Sequence, residues 1–295
     1  ELGVRLVGSE MCIRDRQTLP RPAAQDPRRT GKTPVTMKKH TIATDSKTAL
    51  VTGAAHGIGR CYAERLAAAG YRLILVDRDG GTLDTARQEL AAAHGVTIDT
   101  LVMDMARMEA SEELYAAVAR LGAEVEVLVN NAGVFSYLDI LATPVERIER
   151  MILLHDLTLS KNCRAFGADM AQRGSGYILN MSSYSVWMPF PGMALYTATK
   201  AYVRCFSKAF AKEVAERGVR VTAVCPAGVA TDLYGLSPKW QHIGRRLGVL
   251  ISPDSCARRG LRALWRGRRC IVPDWWNRVW IPLCKILPML SLIHI

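Results

Sequence analysis

Thr48-Ala-Leu-Val-Thr-Gly-Ala-Ala-His-Gly-Ile-Gly59 decides the fold of this chain. An apolar run over 48–52 enters a turn carrying Gly53, Gly57 and Gly59, and the alanine- and leucine-rich stretch 60–69 continues as a helix. A strand, a glycine turn and a helix in that order aim unpaired N–H groups and the positive end of a helix dipole at the turn, which suits a pyrophosphate. The glycines let backbone approach the phosphates and let the helix pack on the strand. Because any tight turn also favours glycine, the pattern takes its meaning from what flanks it.

A second apolar run, 72–76, ends in Asp77, the position from which an acid accepts hydrogen bonds from a ribose. Asp77 repels a 2′-phosphate, whereas Arg78 beside it attracts one. The expectation is therefore NAD, with NADP left open. Further strands are expected at 96–103, 125–129, 177–181, 219–225 and 270–272, with helices between them. This alternation predicts an α/β, doubly wound (Rossmann) parallel seven-stranded sheet in a single domain. The 295 residues leave no room for a large second domain.

The chemistry points to Leu195-Tyr-Thr-Ala-Thr-Lys-Ala-Tyr202 and to Ser183 upstream of it. On a helix the Tyr-x-x-x-Lys spacing puts the phenol of Tyr196 and the ammonium of Lys200 on one face. The cation favours phenolate and draws the tyrosine pKa down from about 10, so the hydroxyl can give a proton to a carbonyl oxygen or take one from an alcohol. Ser183 would hold that oxygen. By itself the spacing suits any exposed helix face; joined to the glycine turn, it points to a reaction site.

With these elements in place, the chain resembles the short-chain dehydrogenase/reductase family over roughly residues 46–272. The resemblance is carried by the Thr52 to Gly59 loop, Asp104, Asn130-Asn-Ala-Gly133, Ser183, Tyr196 with Lys200, and Pro226-Ala-Gly228 followed by Thr231. It implies an oxidoreductase moving a hydride between a nicotinamide cofactor and an alcohol or ketone. It also implies a cofactor site built from Thr52, Gly53, His56, Gly57, Ile58, Gly59, Asp77, Arg78, Asp104, Met105, Asn130, Ala132, Gly133, Tyr196, Lys200, Pro226, Gly228, Val229 and Thr231. Where the family usually has an asparagine holding a relay water, this chain has His155, next to Asp156. A histidine can also hold a water or carry a proton near neutral pH, so His155 joins Ser183, Tyr196 and Lys200 as a catalytic candidate. The other reading of His155 is a packed helix residue.

The loop Tyr184-Ser-Val-Trp-Met-Pro-Phe-Pro-Gly-Met-Ala194 offers Trp187, Met188, Phe190 and Met193 as an apolar wall, and its style resembles the hydroxysteroid dehydrogenase and long-chain 3-oxoacyl reductase branch. An apolar substrate, steroid-like or fatty-acyl, is expected; core packing is the competing explanation of these side chains. Two other functions compete with this one. A non-catalytic dinucleotide sensor or scaffold is opposed by the intact Ser183, Tyr196 and Lys200, and a nucleotide-sugar epimerase by the chain length and glycine spacing. The family's habit suggests a homodimer or homotetramer.

The net charge of +12 is uneven: 1–36 carries +3 and 245–295 carries +8, leaving +1 for the rest. Residues 37–273 are expected to form the Rossmann domain. Residues 1–16 and 291–295 resemble translated sequencing-adapter read-through, which makes Met37 the expected natural start and 1–36 artefact or disordered tail. The segment 274–290 holds Trp275, Trp276 and Trp280 but is interrupted by Arg278, Lys285 and two prolines. It is too short and broken to span a bilayer and suits a lid or peripheral contact with an anionic membrane surface. No nucleic-acid-reading module is evident. Eight cysteines fall without a C-x-x-C pair or a histidine cluster, so no metal is expected, and reduced thiols without a signal peptide point to the cytoplasm, with membrane association open.

Overall fold

The computed structural model describes residues 47–188, 190–230, 250–274 and 277. The expected tail 1–36, the end 291–295, Thr231 and, apart from Asp274 and Asn277, the segment 274–290 lie outside the described residues.

Strand β1 (Thr48–Thr52) is buried along its whole length, as a strand covered on both faces must be. It is followed by α1 (Gly57–Ala68), β2 (Arg72–Asp77), α2 (Gly80–His94), β3 (Ile98–Val102), α3 (Ala110–Arg120) and β4 (Val125–Asn130). The second half runs α4 (Val145–Ile152), α5 (Leu159–Arg173), β5 (Gly176–Met181), α6 (Ala194–Glu213), β6 (Val219–Val224), β7 (Gly228–Val229), β8 (Leu250–Ile251), α7 (Pro253–Trp265) and β9 (Cys270–Ile271). Seven parallel strands stand in the order β3-β2-β1-β4-β5-β6-β9, which is the doubly wound sheet expected from the alternation of patterns. Each expected strand is present. The last is a two-residue edge, and β7 pairs with β8 as a separate parallel ribbon that the apolar pattern did not announce.

Side chains alternate across the strands, so the sheet feeds two cores. Ala49, Val51, Leu73 and Leu75 meet Tyr62 and Leu66 of α1 and Leu261 and Leu264 of α7. Leu50, Ile74 and Val76 meet Leu114 of α3, Phe166 and Met170 of α5 and Val203 of α6. Each fully buried Leu, Ile or Val contributes about 1.5–3 kcal/mol through area removed from water, and the two layers together hold the carboxyl ends of β1 and β4 side by side. At that point the chain order reverses, with β2 on one side of β1 and β4 on the other, and a crevice opens there in folds of this type.

Between α4 and α5 the helix widens into a π turn, Leu153–Thr158. Such a turn adds a residue to the helical circuit and re-aims its side chains. His155 and Thr158 are buried, and Leu154 reaches the crevice.

Candidate active site

Thr52 and Asn131 fix the glycine turn from below. The Thr52 hydroxyl accepts the N–H groups of Asn131 and Ala132, each at 3.1 Å, while the Asn131 amide donates to the carbonyls of Thr52 and Gly53 at 3.1 and 3.0 Å. Gly53 has φ 66° and Gly57 φ 53°, a region that side chains rarely tolerate. A Cβ on Gly59 would lie 1.9 Å from the Gly53 oxygen, so α1 sits on the turn at a distance only glycine permits. No side chain caps α1, and Gly57 and Ile58 of its first turn line a cleft of about 720 Å³.

Asp77, Arg78, Asp104, Met105, Ala132, Gly133, Ser183, Tyr196, Lys200, Pro226 and Val229 line the same cleft, together with Gly53 and His56. The Asp77 carboxylate accepts the N–H of Ala55 at 3.0 Å and that of Asp79 at 3.2 Å, and Arg78 beside it is exposed. Asp104 pairs with Arg150 at 2.7 Å and accepts the Ala106 N–H at 3.0 Å. Burial pushes its carboxyl up, but these contacts prevail and hold it below the ordinary carboxylate range. Arg150, Asn131 and Leu154 are cleft residues that motif reading did not single out one by one. Asn131 was legible from its place in Asn130-Asn-Ala-Gly133, whereas Arg150 and Leu154 carry no local signal.

Four of the described residues expected at the cofactor do not line the cleft, and neither does the catalytic candidate His155. Thr52 and Gly59 support the turn. Asn130 lies beneath it, donating to Asn180 at 2.9 Å and accepting from Asn162 at 3.1 Å in a buried amide network. Gly228 sits in the β7 ribbon next to Val229.

The reactive candidates come from two neighbouring elements. Helix α6 brings Tyr196 and Lys200, and the end of β5 brings Ser183. Lys200 donates to the Met181 carbonyl at 3.0 Å, and its Nζ lies 5.8 Å from the Tyr196 ring centroid. Burial draws the lysine pKa down to about 8, with Asp156 opposing that shift. Asp156 is itself pushed up to about 7 by burial, with Lys200 pulling it down. The Ser183 Oγ accepts the Ser185 N–H at 3.1 Å, a bond that leaves the hydroxyl's own proton unused.

His155 is buried with both ring nitrogens engaged. Nε2 accepts the Val134 N–H at 3.0 Å, and Nδ1 stands 2.9 Å from Thr199 Oγ1, which in turn donates to the Tyr196 carbonyl. With Nε2 accepting and the threonine proton already given, Nδ1 carries the hydrogen and the ring is neutral. Burial, reinforced by Lys200, depresses its pKa well below the ordinary value. The ring thus ties the 130–134 loop to α6.

Trp187 and its neighbours do not form the wall expected of them. Arg204 covers the Trp187 ring at 4.6 Å, and Trp187 packs with Tyr184 against Ala223, Cys225 and Val272. None of Trp187, Met188, Phe190 and Met193 lines the cleft. The short 3-10 turn at Tyr184–Trp187 carries the indole toward the β6 and β9 edge of the sheet instead. Apolar surface near the reactive helix comes from elsewhere: Phe135 meets the Tyr196 ring edge-on at 5.0 Å, and Tyr137 lies against Gly192.

A doubly wound sheet whose crevice joins a glycine turn to a Ser, Tyr and Lys set defines a dinucleotide-binding Rossmann protein with a polar reaction site. The short chain dehydrogenase family model matches residues 47–242, and the chain belongs to that family. Among curated relatives, a very-long-chain 3-oxoacyl-CoA reductase of Bos taurus is 34% identical over 197 residues, covering 65% of this chain and 62% of its own. A galactitol 2-dehydrogenase (L-tagatose-forming) of Cereibacter sphaeroides is 40% identical over 191 residues, covering 64% and 74%. The chain spans less than two thirds of the length of the 3-oxoacyl-CoA reductase it matches. Among solved structures, a short-chain dehydrogenase from Sphingobium yanoikuyae in complex with NADPH is 30% identical with a TM-score of 0.70, covering 81% of this chain and 94% of that one. The bulky-bulky ketone specific alcohol dehydrogenase from Comamonas testosteroni is 27% identical with a TM-score of 0.68, covering 81% and 92%.

Proposed function

We propose that this protein is an NAD(P)-dependent oxidoreductase interconverting a ketone and a secondary alcohol. The observation that carries this reading is the meeting of Ser183, Tyr196 and Lys200 with the glycine turn in one cleft of about 720 Å³. The donor set fits a dinucleotide: a glycine cradle that a Cβ would fill, uncapped α1 N–H groups for a pyrophosphate, and Asp77 for a ribose. Asp104 and Met105 would flank the adenine, and Gly133, Lys200, Pro226 and Val229 the nicotinamide half. When bound, the cofactor supplies or accepts the hydride.

The protein's own part is protonic and positional. Tyr196 gives its hydroxyl proton to the substrate oxygen in reduction and takes one in oxidation. Lys200, as an ammonium, stabilises the resulting phenolate, and Ser183 donates its hydroxyl to the same oxygen. His155 serves as a neutral brace for the 130–134 loop and α6. With both nitrogens engaged, it replaces the family's asparagine in position while moving no proton itself.

Between the two dinucleotides, Asp77 favours a free 2′-hydroxyl and the exposed Arg78 attracts a 2′-phosphate; the NADPH-bound relative leans the same way as Arg78. Both are accepted in this reading, and Arg78 admits NADP. The substrate is a small alcohol or ketone of lipophilic type, supported by Phe135 beside Tyr196 and by Tyr137 at Gly192. Assembly as a homodimer or homotetramer, checked by light scattering against multiples of 32.5 kDa, follows the family habit. No helix among the described residues is long and apolar enough to cross a membrane, and peripheral contact through 274–290 remains part of the proposal.

The test is reduced-nicotinamide absorbance during turnover of lipophilic ketones and of galactitol, with Tyr196→Phe as control. Ketone turnover should fall about a hundredfold or more in the variant while dinucleotide binding is retained. Near-normal rates in the variant would defeat the assignment of Tyr196, and activity on sugar alcohols alone would defeat the lipophilic substrate.

A further inference from the structure

At the β6–β9 edge of the sheet, on the face that α6 covers, two thiols from distant parts of the chain meet. Cys225 follows β6 and directly precedes Pro226, a cleft residue; Cys270 opens the edge strand β9. The strands pair Ala223 with Cys270, and the Cys225 N–H donates to the Ile271 carbonyl at 2.8 Å. The two Sγ atoms are 3.8 Å apart, although 45 residues separate them in sequence. Neither is in a disulfide.

Their surroundings differ in a way that divides the work between them. Cys225 has no exposed surface, whereas Cys270 is half-buried on a strand of only two residues at the edge of the sheet. The contact with Cys225, followed by the positive charges of Arg204 and Lys208, favours the Cys270 thiolate, while the same contact and burial push Cys225 up. An accessible thiolate beside a shielded thiol is the arrangement of an attacking and a resolving cysteine. The short edge strand has few ladder bonds to resist the approach of about 1.8 Å that an S–S bond of about 2.05 Å demands.

We propose that Cys225 and Cys270 form a thiol–disulfide exchange site that takes a low-molecular-weight disulfide, such as glutathione disulfide, as its oxidant. The Cys270 thiolate attacks one sulfur of the small disulfide, forming a mixed disulfide and expelling one thiolate. That thiolate takes the Cys225 proton. The Cys225 sulfur then attacks the Cys270 sulfur, forming the protein disulfide and expelling the second thiolate. Two cysteines are oxidised and one small disulfide is reduced to two thiols. Closure draws β9 toward the residue before Pro226, and the Pro226 carbonyl already accepts the Tyr184 N–H at 2.8 Å beside Ser183. The effect on the cleft rests on the proposed function; the bond itself does not.

The experiment incubates the full chain with glutathione disulfide and maps the products by peptide mass spectrometry. Exposed Cys205 reports simple accessibility, and buried Cys163 and Cys256 report unfolding. The expected product is a Cys225–Cys270 cross-linked peptide, reversed by dithiothreitol, with Cys163 and Cys256 unmodified. Cys225→Ser, or Cys225→Ala where serine is not tolerated, should trap glutathione on Cys270 instead. Modification confined to Cys205, or a pair that stays reduced while Cys205 reacts, would overturn the proposal. Because the cross-link is read without cofactor or substrate, this result is independent of whether the protein turns over ketones.

Discussion

Lys200 is an ammonium held almost entirely out of water, and the cost of that burial is visible in its pKa of about 8. Below that value the side chain is charged and supports the Tyr196 phenolate; above it the charge is lost. The kcat/KM for ketone reduction should therefore fall as pH rises through about 8, a limb that a pH profile with saturating dinucleotide would read. A flat profile to pH 10 would mean that the lysine charge is dispensable. Arg78 gives a second outcome at this scale: Arg78→Ala should lower kcat/KM with NADPH about tenfold and leave NADH nearly unchanged, since one charge-assisted contact to a phosphate is removed. Equal losses with both cofactors would show that Arg78 does not read the 2′ position. The residue types and spacing of Ser183, Tyr196 and Lys200 were legible in sequence because helix geometry translates Tyr-x-x-x-Lys into one face. The state of His155 was not, because it depends on Val134 and Thr199, which only folding brings to the two sides of the ring.

Among the elements, α1 and the turn before it carry the tightest steric constraint in the cleft. Gly59→Ala would place a methyl 1.9 Å from the Gly53 oxygen and force helix and strand apart. We expect a loss of about 3 kcal/mol in denaturant unfolding, together with weakened dinucleotide binding. An alanine variant of wild-type stability would show that α1 and the glycine turn can part without cost. The strands and helices of this layer were readable because buried parallel strands are short continuous apolar runs and the helices between them are amphipathic. The π turn was not readable, since an extra residue in a helical circuit leaves no mark on composition. The 3-10 turn at Tyr184–Trp187 was equally silent, and it took Trp187 to the β6–β9 edge of the sheet, under Arg204, instead of the expected wall.

For the whole molecule, charge is the property that reaches furthest. Residues 245–295 carry +8 and include the apolar, tryptophan-rich stretch that suggests a membrane surface. The full chain should co-float with vesicles containing anionic lipid and release from them as salt rises from 0.05 to about 0.5 M, because screening shortens to a few ångströms over that range. Equal recovery on neutral vesicles, or no recovery on either, would remove membrane contact from the proposal. The order of strands, the glycine turn, and the helical pairing of Tyr196 with Lys200 were determined by the sequence itself, since each is a periodic or short-range property of neighbouring residues. Only the tertiary structure decided that Arg150 would close on Asp104, that His155 would stand neutral between two backbone segments, and that Cys225 would meet Cys270. Those contacts join residues tens of positions apart, and their geometry is set by how helices pack on the sheet, which no local pattern encodes.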